Sequence, residues 1–168
     1  MKTVGHLCGS GLFPPTGHDH ESCKTRRLDQ AEEVCQTRKL RLTPLRRRVL
    51  EIILESHEPI GAYAILARLA EEGKEGPPTV YRALNFLMGH KLIHRVASLN
   101  AYVGCALPGQ PHSGQFLICR SCRVLVELND AGIDAAIRRS AREAGFSLEE
   151  QTLENFGVCP NCVGRQPS

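Results

Sequence analysis

Residues 76–89 read Gly-Pro-Pro-Thr-Val-Tyr-Arg-Ala-Leu-Asn-Phe-Leu-Met-Gly, and this stretch decides the fold. The two prolines predict a sharp turn, and the apolar side chains after them recur at helical spacing from Val80 to about Gly89. Residues 93–97 and 101–105 follow as two short predicted strands around a tight turn at 98–100. A helix between a sharp turn and a β-hairpin occupies the position of the recognition helix in a winged helix-turn-helix.

Three helices are predicted upstream of this stretch. Apolar residues recur at helical spacing from Leu28 to Lys39. Thr43 and Pro44 are the residue types of an N-cap and a first helical turn, and they open a second helix that Pro59 breaks. A third helix is predicted over 62–69. Residues 24–105 are therefore expected to form a winged-helix DNA-binding domain.

The charge distribution is consistent with such a domain. Residues 24–50 carry nine Lys/Arg and three acidic residues, whereas residues 106–168 carry six Arg and seven acidic residues. A basic front half joined to a nearly neutral back half suits a nucleic-acid-binding module with a second unit attached. The alternative is that the basic run is only a solvated surface.

The back half has a different composition. Residues 106–114 are rich in Pro and Gly and predict a hinge. Two predicted strands then follow at residues 116–119 and 124–126, and after them a helix at 132–144 and a strand at 147–154. Residues 115–168 are thus predicted to be a small α/β dimerisation domain whose sheet edge could pair with a second copy. The predicted fold class of the whole chain is α+β.

Two Cys-x-x-Cys pairs predict a metal site in this domain. Cys119 and Cys122 form one pair, Cys159 and Cys162 form the other, and 36 residues lie between Cys122 and Cys159. Four thiolates from two such turns can complete a tetrahedral structural zinc site. Disulfides or a thioredoxin-like redox pair are the alternatives. Because a four-thiolate zinc has a full shell, it performs no chemistry, and the function must lie elsewhere.

The remaining features concern location and the N-terminus. The sequence has no apolar run of the length that a membrane span needs and no signal-peptide pattern, so we expect a cytoplasmic protein with its cysteines as thiols. Residues 1–23 lack periodicity and are predicted to be a disordered tail. Its metal-binding residue types could bind metal weakly or belong to an inert extension; they are His6, Cys8, His18, His20 and Cys23.

The motifs together resemble a known family. Arg41-Leu42-Thr43-Pro44-x-Arg46, the run Pro77-Pro78-Thr79-Val80-Tyr81-Arg82-Ala83-Leu84 and the two Cys-x-x-Cys pairs have the order and spacing of the ferric uptake regulator family, over about residues 25–162. The resemblance implies a dimeric, metal-responsive bacterial repressor with an N-terminal winged helix and a C-terminal dimerisation domain.

Within that family the chain most resembles the zinc uptake regulators. Iron-sensing members typically carry a His-His-Asp-His run near the hinge, whereas residues 110–114 here contain one histidine. Cys105 stands where zinc-sensing members supply a thiolate. By this resemblance the sensing ligands are His94, Cys105, His112 and Glu127.

The residues themselves support this assignment. If the hairpin is symmetric about residues 99–100, His94 and Cys105 are directly opposed, with Cβ atoms roughly 4.5–5.5 Å apart. His112 would come from the hinge and Glu127 from a strand of the second domain. A thiolate, two imidazoles and a carboxylate favour zinc over harder ions. Taken singly, His94 is more often a surface histidine and Glu127 a solvated charge, and a water could replace Glu127 in the shell.

Five residues are expected to contact DNA. Arg82 is predicted to read a base directly, as a bidentate partner of guanine. Thr79 and Tyr81 are expected to contact the backbone or thymine methyl groups, although Tyr81 could instead belong to the helix core. Tyr63 resembles a family position that approaches DNA, and Arg46 with its neighbours is expected to hold phosphates.

The predicted function is that of a zinc-responsive transcriptional repressor with two zinc ions per chain. It would bind a palindromic operator as a homodimer and control zinc uptake genes, and we expect no membrane partner and no small-molecule substrate. One alternative is a relative that senses iron, manganese or peroxide; another is a constitutive DNA-binding protein with structural zinc alone. An enzyme is not expected, because catalytic zinc needs an open coordination position.

Overall fold

A computed structural model describes residues 12–15, 17–73 and 76–164. Most of its helices precede most of its strands along the chain, in the α+β arrangement that the sequence predicts. The helices are α1 (His20–Thr37), α2 (Pro44–Leu54), α3 (Ala62–Glu71), α4 (Pro77–Gly89) and α5 (Ala131–Glu143). The strands are β1 (Ile60–Gly61), β2 (Ile93–Val96), β3 (Ala101–Gly104), β4 (Gly114–Cys119), β5 (Leu125–Leu128) and β6 (Thr152–Gly157).

The first four helices pack on a small antiparallel sheet with strand order β1-β3-β2. The Thr43 hydroxyl accepts a hydrogen bond from the Arg46 N–H at 3.4 Å, so α2 begins with the predicted N-cap. Leu50 and Ile53 of α2 pack with Leu84 of α4 in one buried apolar cluster. Since α4 leads directly into the β2–β3 hairpin, hereafter the wing, this part of the chain is a winged helix.

The N-terminal boundary differs from the prediction. Asp19 caps α1 by accepting hydrogen bonds from the N–H groups of Glu21 and Ser22, so the helix begins at His20 rather than at Leu28. The prediction of a disordered tail over 1–23 is therefore wrong for its last four residues. Residues 1–11 and 16, with His6 and Cys8, lie outside the described part of the chain.

The register of the wing also differs from the prediction. His94 pairs with Val103, and the Cys105 N–H donates to the Leu92 carbonyl at 3.0 Å, so His94 and Cys105 are diagonal neighbours. The turn is a 3-10 turn over 97–99 followed by Asn100 in the left-handed region at φ 46°. Because the register differs by two residues, both side chains still point to the same face of the hairpin.

The C-terminal part forms a second sheet with strand order β5-β4-β6. β4 pairs antiparallel with β5 and parallel with β6, which the chain reaches through α5. β4 already begins at Gly114, so the predicted hinge ends at residue 113. Within the described ranges, no helix has the length and apolar character to cross a bilayer.

The two parts contact each other through the wing. The Glu154 carboxylate on β6 accepts hydrogen bonds from the Ala97 N–H at 2.7 Å and the Ser98 N–H at 3.1 Å, and from the Ser98 hydroxyl. A buried apolar cluster joins Val96 and Val103 of the wing to β4 and β5. The wing is therefore positioned by the C-terminal sheet.

Candidate metal centres and nucleic-acid interface

The four cysteines of the two Cys-x-x-Cys pairs converge in a group that we name the sulfur cluster. β4 and β6 are parallel neighbours, and Cys119 pairs with Gly157 at their ends. Each strand therefore runs into its own Cys-x-x-Cys turn at the same edge of the sheet. The four Sγ atoms lie within 4.8 Å of one another.

The chemistry of the sulfur cluster fits a metal shell. The Sγ atoms of Cys122 and Cys159 are 3.7 Å apart, which is too far for a disulfide bond. Burial raises the pKa of Cys119, but N–H donors from Cys122 and Cys159 outweigh it and lower this pKa to about 6. A thiolate at Cys119 is thus available as a zinc ligand.

Two cysteines outside the sulfur cluster, Cys35 and Cys23, are not candidate metal ligands. Cys35 is buried in the α1 core, as predicted from its place on the apolar face. Cys23 is disulfide-bonded, so the interpretation of every cysteine as a thiol is wrong at this position.

A second convergence, which we name the mixed cluster, contains His94, Cys105, His112 and Glu127. His94 lies on β2, Cys105 directly follows β3, His112 lies in the connection to β4, and Glu127 lies on β5. Their ligand atoms all lie within 4.8 Å of one another. The structure thus brings together, from both parts of the molecule, the four residues that the sequence proposed.

The distances define a compact site. His112 Nε2 lies 3.1 Å from His94 Nε2, 3.4 Å from Cys105 Sγ and 2.8 Å from Glu127 Oε1. His94 Nε2 lies 2.9 Å from the same Glu127 oxygen. The other ring nitrogen of His112 lies 2.8 Å from the Gln110 carbonyl oxygen, and Glu127 Oε2 accepts the Ala106 N–H at 2.8 Å. Such outer contacts are the ones that orient metal-binding histidines and carboxylates.

Burial and mutual hydrogen bonds shift every pKa in the mixed cluster. Hydrogen bonds to Cys105 and Glu127 raise the pKa of His112 to about 10. Burial lowers the pKa of His94, but hydrogen bonds to Cys105 and Glu127 outweigh this effect and raise it to about 9. Burial alone would raise the pKa values of Glu127 and Cys105, but hydrogen bonds from the two histidines lower them, to about 2 for Glu127.

Two neighbours of the mixed cluster were not found from the sequence. Arg27 of α1 is buried, and its Nη2 donates to the Gly104 carbonyl at 3.1 Å, which places a cation beside Cys105 and Glu127. A Cβ atom at Gly104 would overlap the Leu54 side chain, so only glycine lets β3 approach α2 this closely. Helical periodicity placed Arg27 outside the predicted helix, and no local signal marks its burial.

The predicted DNA-contacting residues of α3 and α4 lie on the surface. Tyr63 at the start of α3 is 82% exposed and Tyr81 is 41% exposed, so Tyr81 does not belong to the helix core. Arg82 is exposed and Thr79 is half-buried one turn before it. Within the described ranges Arg82 has no hydrogen-bond or ion-pair partner, which leaves its guanidinium available.

The arginines at the start of α2, unlike Arg82, have partners within the described part of the protein. The Arg46 guanidinium lies 3.7 Å above the Phe86 ring of α4 and donates to the Arg41 carbonyl at 2.6 Å. Arg47 pairs with Glu32 at 2.7 Å, and Arg48 pairs with Glu72 at 2.5 Å. Carboxylates therefore partly neutralise both side chains, and the expectation that the neighbours of Arg46 hold phosphates stays a prediction.

The family is identified by comparison with known proteins. The model of the Ferric uptake regulator family matches residues 37–156. The chain belongs to this family. It is 40% identical over 138 residues to the zinc uptake regulation protein of Escherichia coli (strain K12), and the match covers 81% of each chain. A zinc uptake regulation protein of Mycobacterium tuberculosis (strain ATCC 25618 / H37Rv) is 32% identical over 90 residues, which are 52% of this chain and 66% of the relative.

Solved structures of family members give the same assignment. A zinc uptake regulator complexed with zinc and DNA matches with a TM-score of 0.77 and 39% identity, over 83% of this chain and 95% of that one. Holo XcZur matches with a TM-score of 0.77 and 40% identity, over 83% of this chain and 98% of the other. Apo XcZur matches with a TM-score of 0.50 at 39% identity, over 84% of this chain and 98% of that structure.

Proposed function

We propose that this member of the ferric uptake regulator family is a zinc-responsive transcriptional repressor of zinc uptake genes. The observation that carries the proposal is the mixed cluster, in which four metal-ligand side chains from both parts of the molecule converge within 4.8 Å. One thiolate, two imidazoles and one carboxylate are a donor set that suits tetrahedral zinc.

The relatives support the same function. Those with substantial identity are named zinc uptake regulation proteins, and one solved relative is complexed with zinc and DNA. The chain matches the holo form of XcZur with a higher TM-score than the apo form, at nearly equal identity. The overall structure is therefore more similar to the holo form of this relative than to its apo form, which supports the proposal.

We infer two zinc ions per chain with separate roles. The sulfur cluster would hold a structural ion that clamps the ends of β4 and β6. The mixed cluster would hold the sensing ion, and Glu127 rather than a water would complete its shell, because its Oε1 already lies 2.8–2.9 Å from both histidines. When bound, zinc supplies four directional bonds that close only if the wing and β5 are correctly placed.

The residues then set the geometry for DNA binding. His94 and Cys105 fix the wing against Glu127 of the C-terminal sheet, so closing the mixed cluster fixes the angle between the two parts. In a dimer this angle determines the separation of the two α4 helices, which can enter successive major grooves only about 34–36 Å apart. Shifting the equilibrium between DNA-binding and non-binding placements of the two parts from 1:99 to 99:1 takes roughly 5.5 kcal/mol of difference in their free energies of zinc binding.

The C-terminal part also explains the dimer that we propose. β6 is an edge strand, and α5 is amphipathic without a fully buried residue. Several large apolar side chains of this part are exposed: Ile133, Phe146, Phe156, Val158 and Val163. Exposed apolar surface of this kind marks an interaction site, and a second copy of the chain is the partner that fits a repressor of a palindromic operator. We place the hinge between the domains at residues 106–113.

We propose that Arg82 contacts a base directly. Three further residues are proposed to contact the DNA backbone or thymine methyl groups: Thr79, Tyr81 and Tyr63. Arg46 is proposed mainly to position α4 through its contact with Phe86. Arg82→Ala should lose about 1–3 kcal/mol of operator affinity and relax sequence preference. Fluorescence anisotropy with DNA selected by the zinc-loaded wild-type protein, and with scrambled DNA, measures both effects. An equal loss on the two DNAs would remove the base-reading role.

The direct test of the function combines zinc content with DNA affinity. Purified protein is treated with a mild chelator that spares all-cysteine sites, and operator binding is measured before and after re-addition of zinc. Loss of the zinc of the mixed cluster with reversible loss of DNA binding is the expected result. Unchanged DNA affinity would instead favour a constitutive DNA-binding protein with structural zinc alone. Restoration by iron or manganese but not by zinc would favour a relative that senses those metals.

The proposed role involves no small-molecule substrate and places the protein in the cytoplasm, where the operator is. Members of this family are transcription regulators. Both proposed zinc shells use four protein ligands, which leaves no coordination position for a substrate.

A further inference from the structure

Three histidines form a group apart from the sulfur and mixed clusters, and we name it the histidine cluster. His18 precedes α1, His20 is its first residue, and His57 lies in the loop between α2 and β1. One ring nitrogen from each lies within 4.8 Å of the others. The sequence drew attention to His18 and His20, but His57 is 39 positions after His18, and no spacing rule connects them.

The rings are arranged around a common point. His18 Nε2 and His57 Nε2 are 2.8 Å apart. The His20 ring centroid lies 4.6 Å from that of His57 and 5.5 Å from that of His18. His18 Nδ1 lies 3.3 Å from the Pro15 carbonyl oxygen. A proton on Nδ1 leaves the lone pair of Nε2 facing the cluster, which is the orientation that a backbone carbonyl imposes on metal-binding histidines.

His20 adds an independent observation. Both of its ring nitrogens are inaccessible to solvent, and within the described ranges neither has a hydrogen-bond partner. Buried polar groups nearly always have a hydrogen-bond partner, and an exception calls for a further partner such as an ion. A cation between the three rings would give His20 the partner that the protein does not provide.

We propose that His18, His20 and His57 form a third metal site, which binds zinc through three imidazoles with the fourth position open to water. Imidazole is a preferred zinc ligand, and three protein ligands with one water are a common zinc shell. With Zn–N distances of about 2.0–2.1 Å, tetrahedral ligand nitrogens stand about 3.3 Å apart. Small rotations of these rings reach that spacing.

The third site should be the weakest of the three. Its ligands are neutral, so the charge of the ion is not compensated, whereas the sulfur and mixed clusters supply anionic ligands. Arg27 adds further positive charge near His57. A chelator should therefore remove this ion first and the ion of the sulfur cluster last.

The histidine cluster lies next to two contacts with the C-terminal part of the chain. The His57 carbonyl accepts the Leu125 N–H at 2.9 Å, and the Pro14 carbonyl accepts Asn161 Nδ2 at 2.9 Å. Zinc at the histidine cluster would therefore tie the segment before α1 to the winged helix, at the place where both contact the C-terminal part.

The test counts zinc on the full chain, produced without a histidine tag and equilibrated with buffered excess zinc. Three ions per chain are expected for the wild type, and two for the H18Q/H20Q double variant and for H57Q. His90→Gln is the matched control, because His90 lies outside the three clusters, and it should retain three. A wild-type count equal to that of the H18Q/H20Q variant would overturn the proposal. The readout is the difference between the two counts, so it depends neither on DNA binding nor on how many ions the sulfur and mixed clusters hold.

Hydrogen exchange gives a second readout that does not depend on counting. Zinc should slow amide exchange over residues 17–23 in the wild type and in H90Q, and this slowing should be lost in H57Q. His57 is distant in sequence, so the loss would show that it holds this segment through the metal. Because H57Q removes a buried side chain, its circular dichroism is compared first. If H57Q is unfolded, the double variant H18Q/H20Q, whose changes lie at the start of α1, decides the count. Equal zinc-dependent slowing in folded H57Q and wild type would contradict the proposal.

Discussion

The sulfur cluster and the mixed cluster differ in how the chain builds them. The sulfur cluster takes its ligands from two local pairs at the ends of adjacent strands, and all four belong to the C-terminal part. The mixed cluster takes one ligand from each of four segments, two in the wing, one in the connection and one on β5. The first can close whenever one small sheet folds, whereas the second closes only when two parts of the molecule are correctly placed.

This difference explains how one ion type can serve two purposes. A site that is complete within one folding unit adds its binding free energy to the stability of that unit. A site shared between two units adds its binding free energy to one relative placement of them, which is the requirement for a switch. The following experiments test whether the two clusters are separable in this way.

The largest effect is expected for Cys119→Ser. Structural zinc supplies apparent energies of about 10–16 kcal/mol, which is comparable with the whole stability of a small domain, about 5–15 kcal/mol. The variant should lose its structural zinc, unfold the C-terminal part and become monomeric, as measured by zinc content and analytical ultracentrifugation. Cys35→Ala, which removes a buried cysteine outside the cluster, is the control and should remain a dimer. A dimeric Cys119→Ser variant would show that the sulfur cluster is not the clamp.

Cys105→Ser should separate the two clusters. The variant should remain a folded dimer with its structural zinc, because none of the sulfur cluster is changed. Its operator affinity should no longer increase on addition of zinc, while the wild type gains at least tenfold, or about 1.4 kcal/mol. Titration with zinc in the anisotropy assay measures this. A full zinc response in Cys105→Ser would mean that the sensing site is elsewhere.

The pH dependence of zinc binding should distinguish the mixed cluster further. The pKa values of His94 and His112 are raised above 6.5, to about 9 and about 10, so both imidazoles carry protons at neutral pH without metal. Zinc must displace these protons, so its affinity should rise with pH, by about 100-fold per unit, until pH exceeds the lower of the two values. Competition with a zinc chelator between pH 6.5 and 8 measures the slope, which should fall to about tenfold per unit in His94→Gln. A wild-type slope below tenfold would contradict the proton count.

The smallest effect is expected for Glu154→Gln. The Glu154 carboxylate accepts hydrogen bonds from Ala97 and Ser98 at the wing turn, but it is partly exposed. The loss should therefore be about 1 kcal/mol, which is below the usual range for hydrogen bonds to charged groups. The zinc-dependent gain in operator affinity should fall about fivefold, with zinc content unchanged. Glu150→Gln, on an exposed loop residue, is the control. Identical operator binding by Glu154→Gln and wild type would show that this contact does not transmit the zinc signal.

Local signals in the sequence were sufficient for most of the fold. Thr43 and Pro44 start α2, the two Cys-x-x-Cys pairs meet, and apolar periodicity located the four helices of the winged helix. Predictions failed where local rules were missing or misread. Asp19 is an N-cap without apolar periodicity behind it, and β1 has only two residues, which are a strand only because they pair with β3.

The mixed cluster shows the same limit. A symmetric turn placed His94 opposite Cys105, but Asn100 in the left-handed region gives a longer turn and pairs His94 with Val103. The ligand set survived because a shift of two residues preserves the face. The roles of Arg27, Gly104 and Glu154 depend on contacts between distant segments, for which a single sequence contains no spacing signal.

Arg27 has one more consequence for the mixed cluster. Without metal, the pKa shifts favour an imidazolium at His94 and at His112. These two groups and the Arg27 guanidinium lie beside the Glu127 carboxylate and beside Cys105, whose pKa hydrogen bonds from the two histidines lower. Replacing the two protons by one divalent ion leaves the net charge of this buried site unchanged. Because this exchange conserves charge, the phosphates of a bound DNA experience no new electrostatic field. Zinc instead changes the geometry of the site, since it bonds to all four ligands at once, and the response to zinc must therefore be conformational rather than electrostatic.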